Sequence, residues 1–390
     1  MSKRIGIEVS LTVSEAVRLA DADVVAAYPI TPQTHIVEHL SELVADGHLD
    51  AEFIPVESEH SAMSTCIGSS AAGARSFTAT SAQGLALMHE LIYMPPALRL
   101  PIVMVVANRA MSPPISIWND HSDIMAERDT GWIQIFAENG QEVLDLTLQA
   151  FRIAEHPDVL LPVAVNLDGF TLSHVIEPVF MPEPDEVGKF LPPYKPALRL
   201  DVDNPVSMGV FGIPEIYTEA KKDIDEALRD SKKTILKVWD EFEQVFGRRY
   251  APVETYAAED AETILIIMGS ISETAMTAVD EMRAEGKSVG LARIRMWRPF
   301  PDEEFKAAVA KAKKIGVIDR CLTLGSHGNP VFQEIRSLLY PLDDRPYIFN
   351  FTVGIGGRDA IRDNFKYIYD RCQVLTDEGQ SRFEMVGVME

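Results

Sequence analysis

Short apolar runs of strand length alternate with segments of helical spacing along most of this sequence. That order admits few folds besides an α/β architecture built on a doubly wound, mostly parallel sheet. Strands are predicted over residues 5–9, 23–28, 53–56, 76–80, 101–107, 132–136 and 160–167, and again over 263–268, 288–294, 314–318 and 347–353. Residues 142–155 carry the clearest amphipathic helical spacing, and 14–20 and 85–93 also read as helices. Between the two sets, residues 170–199 are rich in proline and lack periodicity, whereas 215–246 are strongly helical. A chain of 390 residues exceeds what one core of about 250–300 residues holds. We therefore expect an α/β domain over 1–180, a linker and bridging helical segment over 181–255, and a smaller α/β domain over 256–390.

Several predicted strands end in residues suited to ligand chemistry. The strand over 23–28 runs into Pro29-Ile-Thr-Pro32, where Thr31 is an N-cap type and Pro32 suits a first helical position, so a helix is predicted from there to about Val44. In an open parallel sheet such a junction is where ligands bind, although Thr-Pro helix starts also serve purely structural ends. The stretch from Val56 to Arg75 sets Glu57 and Glu59 at the mouth of a helix made almost entirely of small residues, with Ser58 as N-cap and Gly73 as terminator. The positive end of a helix favours an ionised Glu59, and burial favours a protonated one. Small neighbours such as Ser61, Ala62, Gly68 and Ser69 leave room for a pocket; a solvated first-turn glutamate is the other reading of the same residues. Ser81-Ala-Gln-Gly84 follows the strand over 76–80, and Asn108 and Arg109 end the strand over 101–107. The irregular stretch 111–123 reads as a functional loop, with Trp118 anchoring it against a partner surface. Gly354-Ile-Gly-Gly-Arg-Asp359 lacks the full spacing of a nucleotide fingerprint and reads as a tight turn before a helix.

Much chemistry is excluded. With 36 basic against 59 acidic residues the formal charge is −23, which repels nucleic acid and anionic membranes. No apolar run is long enough to span a membrane. The opening Met-Ser-Lys-Arg-Ile-Gly lacks the pattern of a signal peptide, so the cytoplasm is the expected compartment. Cys66, Cys321 and Cys372 are too few and too far apart for a disulfide framework or a four-cysteine cluster within this chain. Phosphate-loop, zinc-protease and esterase motifs are missing. His60, His89 and His121 read as surface or hydrogen-bonded core residues, and Cys66 as packed and inert.

Taken together, Tyr28-Pro-Ile-Thr-Pro32, Glu59 on its small-residue helix, Thr80-Ser-Ala-Gln-Gly84, Asn108-Arg-Ala110 and Ile115-Ser-Ile-Trp-Asn-Asp-His-Ser-Asp123 resemble the α subunit of the pyruvate:ferredoxin oxidoreductase family. Leu167-Asp-Gly-Phe-Thr-Leu-Ser-His174, Phe190-Leu-Pro-Pro-Tyr194, Phe246-Gly-Arg248, Arg298-Pro-Phe-Pro301 and Gly354 to Asp359 extend the likeness over nearly the whole chain. The resemblance implies a pyrimidine-binding domain of thiamine diphosphate enzymes followed by a domain like the C-terminal one of transketolase. It implies that Glu59 meets N1′ of the cofactor's aminopyrimidine, that Pro29, with Tyr28 before it, lies beside that ring, and that Thr31 and Arg109 hold the substrate. A guanidinium suits a carboxylate because its fork donates two parallel bonds. A relative using oxalate is expected to carry a second arginine where this chain has Thr31, so pyruvate fits better, with 2-oxoisovalerate and 2-oxoglutarate still open.

The sequence holds no Gly-Asp-Gly diphosphate motif. The likeness therefore implies a β subunit bearing magnesium, the diphosphate site and a [4Fe-4S] cluster, a γ subunit, and a ferredoxin-like δ subunit with further clusters, in a dimer of heteromers. Coenzyme A would accept the acyl group, and ferredoxin the electrons. The alternatives are a non-catalytic subunit of such a complex, or a thiamine enzyme that passes its acyl group to lipoamide.

Overall fold

The computed structural model describes residues 3–375 and 383–389. Among these residues the strands form three sheets. The largest has seven strands in the order β12-β6-β7-β5-β4-β2-β3, where β2 is Val24–Ala27, β3 Glu52–Pro55, β4 Ser76–Thr80, β5 Val103–Asn108, β6 Ile133–Phe136, β7 Val163–Asp168 and β12 Met296–Arg298. All pairings within it are parallel except that of β12 with β6. The second has six strands, β15-β14-β13-β10-β11-β9, formed by Val253–Tyr256 (β9), Thr263–Ile267 (β10), Val289–Ile294 (β11), Lys314–Asp319 (β13), Tyr347–Thr352 (β14) and Glu384–Met385 (β15). Only β9 runs antiparallel there. Helices cover both faces, so the central strands β4, β5, β6 and β7 are buried at every position and read as near-continuous apolar runs.

Three expectations need correction. The helix after β2 begins at Thr34, with Gln33 rather than Thr31 before it. Residues 30–33 instead close a turn, in which the Gln33 N–H donates to the Ile30 carbonyl at 2.7 Å, and this takes up the donor that a helix starting at Pro32 would have needed elsewhere. Residues 170–199 are not featureless. They hold β8 (Ile176–Met181), paired antiparallel with β1 (Lys3–Glu8) as a separate two-stranded sheet, and a helix Pro184–Phe190 whose Phe190 packs edge-on against Phe242. Finally, β12 lies in the second half of the sequence yet adds itself to the edge of the first sheet.

The long helix Pro214–Phe246 buries Ile235, Val238, Trp239 and Phe242 in its C-terminal part, and Lys232 meets Glu303 and Glu304 of the second half. The two halves are further tied by a buried ion cluster. Glu142, in the first turn of the helix Gly140–Ala154, accepts from Arg293 at 2.8 and 2.9 Å and from Arg295 at 2.6 Å. Both guanidiniums also reach Glu254, and Arg293 lies 3.2 Å from Glu138. Burial pushes the Glu142 carboxyl up, but the two guanidiniums outweigh it and hold it at about 2. Removing one member leaves uncompensated buried charge, so Glu142→Ala is expected to lower unfolding free energy by about 3–5 kcal/mol. Removing Lys237, whose partner Glu241 sits 3.8 Å away at the surface, should cost less than about 1 kcal/mol. Because the folded carboxyl is depressed, the wild-type advantage is present above its ordinary range near 4.5 and fades as pH falls toward 2. Urea titrations of both variants across that window test this.

Candidate active site

The chain steps from β2 to β3 in one direction and from β2 to β4 and β5 in the other, so the order reverses beside β2. The crevice outside the carboxyl ends of strands at such a switch point is where open α/β sheets bind ligands. The turn after β2, the helix after β3 and the junctions after β4 and β5 all open there. Gln33 fixes the first of these. Its side-chain oxygen accepts from the Ile30 N–H at 3.1 Å and its amide nitrogen donates to the Ala79 carbonyl at 2.8 Å, leaving Thr31 exposed at the tip.

Ser58 caps the helix Glu59–Ala71, accepting from the Ser61 N–H at 3.2 Å, and Gly73 leaves it at φ +100°. The two carboxylates take opposite surroundings. Glu57 lies in solvent and accepts from the Ser61 hydroxyl at 2.5 Å, a bond that holds its carboxyl below the usual range. Glu59 is only 5% exposed, and its carboxyl finds no hydrogen-bond partner among the described residues. It faces Gly84, where an added Cβ would lie 2.5 Å from Glu59 Oε1 and 2.6 Å from Thr80 Oγ1. The Thr80 hydroxyl is itself buried without a partner. An acid and a hydroxyl left unmatched around a residue with no side chain form a cradle for a flat polar ring. The ring nitrogen of an aminopyrimidine fits this donor and acceptor set.

The second cluster centres on Arg109, 7% exposed, just past β5. Its Nη1 donates to the Thr31 carbonyl at 2.9 Å, its Nε to the Ser116 carbonyl at 2.8 Å and its Nη2 to Gln83 Oε1 at 3.4 Å. Burial lowers its pKa, and the Asp123 charge opposes this only in part. All three acceptors are neutral, so the guanidinium charge remains available to an incoming anion. Asp123 sets the frame. Its carboxylate accepts from the backbone N–H groups of Arg109 at 3.0 Å, Ala82 at 3.1 Å and Ile124 at 2.7 Å, and from the Asn108 amide at 3.0 Å. Burial raises it to about 6 against those bonds. Ala82 sits at φ +40°, a left-handed conformation that costs a non-glycine residue energy, and Asp123 holds it there. That pinned backbone delivers Gln83 to Arg109 and Gly84 to Glu59.

The loop after Arg109 rests on the second sheet. Gly356 N–H donates to Asp120 Oδ2 at 3.1 Å, and the His121 N–H to the Arg320 carbonyl at 2.8 Å. His121 Nε2 and Arg320 Nη1 reach Asp168, at 2.9 and 2.6 Å, as does the Ser270 N–H at 2.8 Å. Burial alone would raise the Asp168 carboxyl, but Arg320 and these bonds hold it well below the usual range. A Cβ on Gly357 would lie 2.3 Å from Trp118 Cβ, so the glycine turn at the end of β14 receives the loop. Trp118 packs its ring 4.9 Å from Phe170 and leaves half its surface exposed.

Of the residues expected from sequence, Glu59, Thr31 and Arg109 all lie at this rim, with Thr31 and Arg109 directly bonded. Tyr28 and Pro29 are exposed beside the turn, and no hydrogen bond ties them to Glu59 or Arg109 among the described residues. His121 is a hydrogen-bonded core residue, and Cys66 is fully buried with its thiol pushed up to about 12. Gln83, Gly84, Asp123 and Asp168 join the site through tertiary contacts that no local motif signals. The Ser81–Gly84 turn is visible in the sequence, but what it faces depends on a helix more than ten residues earlier.

Residues 15–240 match the profile described as pyruvate flavodoxin/ferredoxin oxidoreductase, thiamine diphosphate-binding, and residues 261–365 match pyruvate:ferredoxin oxidoreductase core domain II. A pyruvate synthase subunit PorA from Methanocaldococcus jannaschii is 50% identical over 368 residues, 94% of each chain. A ketoisovalerate oxidoreductase subunit VorA from Pyrococcus horikoshii is 46% identical over 363 residues, 93% of this chain and 91% of the relative. A solved 2-oxoglutarate:ferredoxin oxidoreductase from Magnetococcus marinus superposes with a TM-score of 0.68 at 21% identity, over 95% of this chain and 65% of that one, and shares the fold. With the first profile covering more than half of the residues and half of 368 aligned positions identical to a relative covered to 94%, the chain belongs to the pyruvate flavodoxin/ferredoxin oxidoreductase family.

Proposed function

We propose that the chain is the thiamine diphosphate-binding α subunit of a multi-subunit enzyme converting pyruvate and coenzyme A to acetyl-CoA and CO2. Two electrons leave for ferredoxin, and the reaction runs in either direction. The observation that carries this is the unpartnered Glu59 carboxyl facing Gly84. When bound, thiamine diphosphate supplies a nucleophilic carbon and an electron sink. Glu59 holds a proton at N1′ of the pyrimidine, a task for an acid that is sheltered from water yet sits in a helix's first turn. Arg109 binds and orients the substrate carboxylate, and Thr31 steadies the carboxylate or keto oxygen. Tyr28 and Pro29 border the pyrimidine from the rim. The loop of residues 110–121 shields the site from water. We assign the pyrimidine site to residues 1–180, the linker and bridging helical segment to 181–255 and the transketolase-like domain to 256–390.

The remaining parts come from other chains. The chain has only three cysteines, all buried, and burial pushes the Cys66 and Cys372 thiols up to about 12, so the [4Fe-4S] clusters belong to partners. A β subunit supplies the diphosphate and magnesium site with a cluster, alongside a γ subunit and a ferredoxin-like δ subunit, in a dimer of heteromers. A second reading, the same chemistry on 2-oxoisovalerate, is favoured by the near-equal identity to the ketoisovalerate relative. Comparing kcat/KM of the assembled enzyme for the two acids decides it, with pyruvate expected to be preferred.

Glu59→Gln is expected to assemble and bind cofactor normally while turnover falls about 10²–10⁴-fold. Unchanged proton exchange at the cofactor's C2 in that variant would remove Glu59 from the chemistry. Arg109→Ala should raise KM for the 2-oxo acid about 10–10²-fold; an idle subunit would show no change. Gly84→Ala sits in a helix that alanine suits, but its methyl meets both the Glu59 carboxyl and the buried Thr80 hydroxyl, so the variant should fold with a loss of about 1–3 kcal/mol while the Glu59 carboxyl is displaced. Cofactor affinity should then fall about tenfold or more, as read by titration of the assembled apoenzyme.

A further inference from the structure

Behind the Thr31 turn, three side chains from separate segments converge on one spot. Glu8 ends β1, His35 lies in the first turn of the helix Thr34–Ala45, and His174 follows β7. One ligand atom from each lies within 4.8 Å of the others. His35 Nδ1 is 2.6 Å from Glu8 Oε1, and the His35 and His174 rings have centroids 4.5 Å apart. We propose that Glu8, His35 and His174 form a binding site for a divalent transition-metal ion of the zinc class, distinct from the cofactor and substrate site.

The donor set decides the class of ion. Two imidazoles and one carboxylate suit zinc, cobalt or nickel, whereas magnesium and calcium prefer oxygen ligands throughout. Bonds of about 2.1 Å in a tetrahedral site separate ligand atoms by about 3.4 Å, so the three groups need only small side-chain rotations to close on an ion. Ser173 Oγ lies 2.7 Å from His174 Nδ1 and already accepts from the Phe170 N–H at 2.8 Å. If Nδ1 donates to that oxygen, His174 presents Nε2, which is how an outer hydrogen bond sets a ligating histidine. Among the described residues Glu8 pairs with His35 and feels His174, and no ion pair to a lysine or arginine is made by its carboxylate. All three residues are half-buried, which leaves a fourth position for water.

An ion here would clamp β1, the helix that follows the substrate turn and the segment after Asp168. Gly169 in that segment packs against Pro32, where a Cβ would lie 2.5 Å from its Cγ. The site therefore supports the Thr31 turn from behind without touching the reacting groups.

The test uses the full-length chain stripped with a chelator, without thiamine diphosphate or magnesium. Zinc is titrated calorimetrically and by thermal shift, and cobalt by its visible absorption. The expected result is one ion per chain and a raised melting temperature with zinc but not with magnesium. Affinity should fall at least about 10²-fold in His174→Asn and about tenfold or more in Glu8→Gln. Glu8→Gln keeps the shape of the side chain and serves as the second arm should the histidine variant fold poorly. Equal zinc binding by wild type and both variants would mean adventitious binding to other histidines and would overturn the site, as would a wild-type chain whose melting temperature zinc leaves unmoved.

Discussion

Asp168 ends the first sheet with a buried carboxylate that Arg320, His121 and Ser270 all approach within 3 Å. Arg320 and Ser270 follow β13 and β10 of the second sheet, so this charge joins the carboxyl ends of the two sheets directly. A buried ion pair of this kind contributes little net stability against an apolar substitute, but losing one partner is costly. Its consequence is geometric. With the two sheet ends fixed face to face, the loop between Arg109 and His121 has a floor, made of Arg320, Gly356 and Gly357. The Arg109 guanidinium inherits its aim from that floor through the Ser116 carbonyl. The second domain thus acts on the site by support from below.

Glu59 and Glu57 show how two identical side chains, two residues apart, are given different tasks by position alone. A carboxylate in water gains from a nearby hydroxyl, as Glu57 does from Ser61, and stays ionised. Glu59 turns inward over small residues to a glycine, where no protein donor among the described residues meets it. A buried acceptor without a partner costs a chain free energy unless a ligand provides one. The orphaned Thr80 hydroxyl adds to the same cost at the same place. Local sequence and tertiary packing disagree here, and such disagreement concentrates at functional sites.

The strand and helix order was legible because parallel sheets write near-continuous apolar runs into the sequence, and β4 was placed to the residue. The start of the helix after β2 differs from its sequence signal because Thr31-Pro32 reads as a strong helix start, while the competing turn depends on Gln33 reaching Ala79, forty-six residues later. β8 carries little signal because exposed Ile176 and Phe180 and buried Val179 put apolar side chains on both of its faces, and β12 because three residues carry no periodicity. The rim residues Glu59, Thr31 and Arg109 stood out through local chemistry and family likeness. Asp123 could not, because its function lies in N–H groups supplied by Ala82 and Arg109, which no spacing along the chain announces.

The site is also open on one side. Thr31, Tyr28 and Pro29 are exposed, Trp118 keeps half its surface in solvent, and Arg109 carries a charge that its three neutral acceptors leave uncancelled. A self-sufficient pocket would enclose such groups, since catalytic electrostatics weaken sharply in contact with bulk water. Here the enclosure on the protein side ends with Gly84 and the Arg109 loop, and the open side shows apolar and polar groups together, as interfaces do. Closing it from outside would bury Arg109 and Glu59 further and raise the worth of both interactions. On the proposed reading, in which another chain completes the pocket, assembly itself becomes a condition for the electrostatics that the reaction needs.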